Sequence, residues 1–185
     1  IESNCVRVMA GPRGVGAWGL GGTGAGAPRQ FHFPQAVRAA CPKTACGHYG
    51  QNYMCPPAVG GLDHYREVVN SYTNGLLFSQ VYRFKNRQDY RRMNEIMAGF
   101  EKTVEKLHRA IRKSDVEGTV FSAGCCTICK ECGILTDEPC RFPDEAMPSL
   151  EASGIDVVQL TKDTGLVYNN GPKTMTIIGL ILYNA

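Results

Sequence analysis

Long apolar runs are missing from this chain. No stretch of 18 hydrophobic residues occurs in its 185 positions, so no membrane-spanning helix is expected. A basic segment leading into an apolar one is missing as well, hence no secretory signal is expected. Charge of one sign is scarce: 20 Lys and Arg against 17 Asp and Glu leave a net +3, which argues neither for nor against a nucleic-acid partner. No Ser–His–Asp set or carboxylate pair stands out as an organic active site.

What is present is ordinary for a globular chain, with 43% hydrophobic and 20% charged residues. That length supports one domain with a core that folds without disulfide staples.

Cysteine is the exception. Nine occur, an odd number, and eight fall into two tight groups. Disulfide scaffolds tend to be shorter, with cysteines spread along their length. Grouped Cys-x-x-Cys spacings in a chain without a secretion signal point instead to metal in a reducing cytoplasm.

Residues 11–30, "GPRGVGAWGLGGTGAGAPRQ", hold eight glycines and two prolines and read as an irregular, flexible extension. The expected organisation is therefore an extension over 1–30 and a single domain over 31–185. Gly14, Gly16 and Gly19 match the dinucleotide-binding fingerprint formally. "VRVMA" offers a strand before them, but no helix opens after Gly19, so a glycine-rich loop is the better reading.

"GLDHYREVVNSY" has helical character and "NGLLFSQVYRF" reads as a strand. In "QDYRRMNEIMAGFEKTVEKLHRAIRKS", Tyr90, Met93, Met97, Phe100, Val104, Leu107 and Ile111 make one apolar stripe of a long helix. Glu105 and Arg109 are spaced for a supporting ion pair. "EGTVFSAG", "IDVVQL" and "TMTIIGLILYN" read as further strands. The pattern predicts an α/β fold: a small mixed sheet with packed helices and two cysteine-rich, cluster-binding loops. The run from Tyr82 to Arg92 carries five basic residues among aromatics, but a solvated loop entering a helix explains it better than an RNA surface.

Five cysteines fall between Cys125 and Cys140. Among them Cys126, Cys129 and Cys132 form C-x2-C-x2-C, a triple that wraps a compact loop around three corners of a [4Fe-4S] cluster. Zinc is more often held by two separated Cys-x-x-Cys pairs. The fourth ligand is open between Cys140 and the remote Cys55, which precedes Pro56 and Pro57 as in the ferredoxin pattern. In the first group Cys41, Cys46 and Cys55 lie near His48, a set suited to zinc or to a cluster with one unusual or open corner. Cys125 is either a small buried hydrophobe or the ligand that completes a set elsewhere. Cys5 is assigned no role.

At "VRAACPKTACGHYGQNYMCPP" and "FSAGCCTICKECGILTDEPCRFPDEAMPSLEASGIDVV" the sequence resembles a family of uncharacterised prokaryotic proteins described as predicted metal-binding proteins, common in anaerobes. The resemblance spans about Phe33 to Tyr183. It implies metal or iron–sulfur ligation by Cys41, Cys46, Cys55, Cys126, Cys129, Cys132 and Cys140. Arg141, Pro143, Pro148, Ser149 and Glu151 belong to the same pattern, with Ser149 placed to cap a short helix over "LEASG". Cys125 and the glycine-rich start depart from it.

The sequence-based expectation is an iron–sulfur protein with one, and preferentially two, [4Fe-4S] clusters. It would pass electrons to or from a redox partner as a subunit or accessory factor. The rivals are an enzyme or reductive activator using an open-corner cluster, and a zinc-stabilised interaction module.

Overall fold

The structure is a computed structural model, and residues 22–26, 28–44, 46–85 and 90–184 are described. Cys5, the "VRVMA" segment and the Gly14–Gly19 match lie outside the described residues. So do residues 86–89 of the basic run; of its remainder, Arg91 and Arg92 pair with Glu95 at 3.2 and 3.3 Å.

Four strands form one sheet: β1 (Gly22–Gly26), β2 (Asn74–Arg83), β3 (Gly118–Phe121) and β4 (Thr174–Tyr183). Their spatial order is β1-β2-β4-β3, and every ladder between them is antiparallel. Among the described residues, parallel pairing is confined to an isolated bridge between Ser122 and Ser149. Part of the glycine-rich stretch therefore contributes a strand to the sheet edge.

Strand side chains alternate between faces, and here both faces are covered. Phe78, Val120, Ile177 and Ile181 face the long helix α3 (Tyr90–Arg112) through its Ile96, Phe100, Val104, Leu107 and Ile111. Leu77, Phe121, Ile178, Leu180 and Leu182 face the other way. There they meet Tyr65 and Val69 of α2 (Leu62–Asn70) and Val157 and Leu160 of α4 (Val157–Asp163). A short α1 (Gln35–Ala40) precedes the first cysteine loop. Burial on both sides explains why β4 is almost continuously apolar. Gly179 in its middle sits opposite Phe78, whose ring stacks on Phe100 at 6.0 Å; a Cβ there would meet Phe78 Cζ at 2.3 Å.

The expected α/β class holds, with a small sheet and packed helices. Three local expectations are corrected. "IDVVQL" is not a strand but the start of α4. Asp156 caps it by accepting the Gln159 N–H at 3.0 Å, and Val157, Leu160 and Thr161 are buried at helical spacing. Arg109 binds Glu145 at 2.8 Å across to another segment, rather than forming the expected pair with Glu105. The stripe of α3 also divides: from Phe100 onward it is core, whereas Met93 and Met97 are half-buried and Tyr90 is 70% exposed.

Candidate metal centre

The two cysteine loops leave different parts of the fold and meet beside one end of the sheet. Past β3, the backbone of Ser122 bonds Pro148 O and the Leu150 N–H, both at 3.0 Å. Its hydroxyl donates to the carboxylate of Glu101 on α3, at 2.7 and 2.6 Å to the two oxygens. The chain thus enters the cysteine stretch from a fixed point. Beyond the stretch, Ser149 Oγ accepts the Ala152 N–H at 3.0 Å, so "LEASG" forms a capped turn.

Cys126, Cys129, Cys132 and Cys140 line one pocket together with Asn52, Tyr53 and Met54 from the first cysteine loop. The loop that presents them is heavily bonded. The Leu135 N–H reaches Cys132 O at 3.1 Å, and the Glu138 N–H reaches Gly133 O at 2.8 Å. Asp137 turns the chain with a φ of 55°. Gly133 has no room for a side chain, since a Cβ would meet Glu138 O at 2.7 Å and Pro139 O at 2.8 Å. Arg141 ties the loop by donating to Glu131 O at 2.9 Å and to Glu138 Oε2 at 3.0 Å. The Tyr53 hydroxyl donates to Glu138 O at 2.7 Å and fastens the two cysteine loops together.

Cys41, Cys46, Cys55 and Cys125 line a second, larger cavity of about 880 Å³, which His48 also borders. Cys41 opens the single 3-10 turn that follows α1, and Cys55 is buried. Donors already address these sulfurs: Thr44 Oγ1 lies 3.3 Å from Cys46 Sγ, and the buried Asn52 Nδ2 lies 3.3 Å from Cys55 Sγ.

Burial and neighbouring thiols shift the acidity of several of these cysteines. Burial raises Cys126, and Cys140, Cys129 and Cys132 raise it further against an opposing backbone N–H at Ile128. Burial pushes Cys125 up to about 11, with Cys55, Glu101 and Cys126 adding to it. Cys55 and Cys41 are raised by burial first and then by neighbouring thiols of their own set. Cys46 alone is lowered, by the Thr44 hydroxyl and then the His48 N–H. Neighbouring thiols that resist simultaneous ionisation favour a shared cation, which removes their protons on binding.

All eight described cysteines are free thiols. Among the described residues, no three His, Cys, Asp or Glu side chains are gathered as they would be around a single metal ion. Of the residues singled out in the sequence, Cys140 joins the triple in its pocket, whereas Cys55 joins Cys41 and Cys46 in the other. His48 and Cys125 border that second cavity. Sequence reasoning missed Asn52, Tyr53 and Glu101. Glu101 did leave a signal, because it interrupts the apolar face of α3 directly after Phe100.

The fold and its two cysteine-lined pockets define an α/β protein suited to metal. The chain belongs to the family described as predicted metal-binding protein (DUF2284), whose match covers residues 27–183. No curated protein and no solved structure matches it.

Proposed function

We propose that the chain is an iron–sulfur protein holding two [4Fe-4S] clusters and exchanging electrons with a partner redox protein. Cys126, Cys129, Cys132 and Cys140 would hold one cluster; Cys41, Cys46, Cys55 and Cys125 would hold the other. The observation that carries this reading is the division of eight free thiols into two pockets of four. When bound, each cluster supplies a one-electron carrier.

The donor sets fit this group. Each thiolate of a cluster meets a different iron, so its ligands need not crowd around one ion as four zinc ligands do. Cys125 supplies the fourth thiol of the second set, which favours a closed centre over one with an open corner.

The chain's own groups tune such centres. Hydrogen bonds from Thr44 and Asn52 to the sulfurs of Cys46 and Cys55 offset thiolate charge and favour the reduced state. Adjacent residues lie about 3.8 Å apart at Cα, so Cys125 and Cys126 would hold two centres side by side, an arrangement suited to relaying electrons. Phe142, 43% exposed at the rim of the first pocket, offers apolar surface for a transient partner. No described helix is long and apolar enough to cross a membrane. On this reading the protein works in a reducing cytoplasm, as a subunit or accessory factor of an anaerobe.

Anaerobic purification with iron, acid-labile sulfide and zinc analysis tests it. About eight irons and as many sulfides per chain are expected. Stoichiometric zinc without sulfide would sink the proposal.

A further inference from the structure

The second cavity is larger than its thiols require. Much of its wall carries no metal-ligating atom: Val37 and Ala40 come from α1, and Met93, Met97 and Ala98 from α3. At about 880 Å³ it falls within the range of small-molecule sites, roughly 300–1,000 Å³, which combine apolar walls with a few placed polar groups.

The polar groups have one sign. Glu101 and Glu151 both border the cavity, and no Lys or Arg does among the described residues. Neither carboxylate has an ion-pair partner among the described residues. Glu101 is only 5% exposed and is held in place by the Ser122 hydroxyl. Glu151 borders the cavity and is exposed to solvent. Tyr49 adds an aromatic ring, 43% exposed, to the same wall.

We propose that this cavity binds a small organic cation, an amine or ammonium with an apolar body, beside the Cys41, Cys46, Cys55 and Cys125 set. The carboxylates would accept the ammonium hydrogens, and the methionines would cover the apolar part. Anionic molecules such as phosphates and carboxylic acids are disfavoured, because no cationic side chain receives them. On the metal-centre reading above, four thiolates add negative charge to this wall, and to that extent the inference rests on that reading.

The test titrates the full chain, purified anaerobically with its metals, with hexylamine, hexanoate and 1-hexanol by calorimetry. Hexylamine, cationic at neutral pH, should bind saturably and at least about ten-fold more tightly than hexanoate, the scale of one charge-assisted hydrogen bond. Glu151→Gln should weaken hexylamine by about ten-fold and leave hexanol unchanged. Met97→Trp should crowd the apolar wall and weaken hexylamine by at least about ten-fold. Met93→Trp, one turn earlier, serves the same purpose if Met97→Trp does not fold. Equal binding of amine and acid, no amine binding, or undiminished binding to the folded Trp variant would overturn the proposal. Iron is measured on every sample. Loss of selectivity at full iron content therefore overturns the cavity assignment alone, while amine selectivity in an iron-free protein overturns the cluster reading alone.

Discussion

Cys125 and Cys126 are consecutive in the chain, yet they border different pockets. Cys126 lines its pocket with the cysteines of its own loop, whereas Cys125 lines the other with Cys55, from a segment some seventy residues earlier. This pair joins the two halves of the candidate metal region.

Replacing either member with Ala should therefore empty one centre and spare the other. Cys125→Ala and Cys126→Ala are each expected to lower iron from about eight to about four per chain. Spectra of the reduced variants should differ, because different centres survive. Unchanged iron in Cys125→Ala would reduce that residue to packing.

Gly133→Ala tests the loop without touching a sulfur. Its Cβ would run into the carbonyls of Glu138 and Pro139, and neither is a flexible side chain that can yield. The variant should lose the iron assigned to Cys126, Cys129, Cys132 and Cys140 while its far-ultraviolet dichroism stays unchanged. Full iron content would show that the loop relaxes around the methyl group.

Glu101 makes stability depend on pH. Burial raises its carboxyl above the ordinary value of 4.5, against hydrogen bonds from Ser122 and the Gly124 N–H. The native chain then binds more protons than the unfolded chain between 4.5 and that raised value. The contribution of the protonated form is complete below 4.5 and is lost as pH climbs through the native value. Glu101→Gln lacks this loss, so its stability relative to the parent should rise from pH 4.5 to neutrality. Denaturant midpoints across that range measure it, and parallel profiles would refute the assignment.

The core and the corrected helix can be checked together. Phe100→Ala removes a fully buried ring stacked on Phe78 and should cost about 3–5 kcal/mol. Asp156→Ala removes the cap of α4 and should cost about 1 kcal/mol. If "IDVVQL" were a strand, the second change would have little effect on unfolding midpoints.

Much of this was legible in the chain itself. The stripe from Phe100 to Ile111 determined α3, and the dense β-branched and leucine run of "TMTIIGLILY" determined β4. Their periodicities are local and survive any packing. The triple Cys126, Cys129 and Cys132 was equally plain, because its cysteines lie within seven residues and one loop presents them. "IDVVQL" misled because four of its six residues are apolar, and only the Asp156 cap distinguishes a buried helix turn from a strand. The extent of the Met93 and Met97 stripe misled as well, since spacing gives a face but not what that face meets. Which pocket Cys125 and Cys55 border was decided by tertiary structure alone. A side chain's partners across the chain depend on where α1, β3 and their loops converge. No spacing in the sequence states that Cys125 borders the same cavity as Cys41, Cys46 and Cys55.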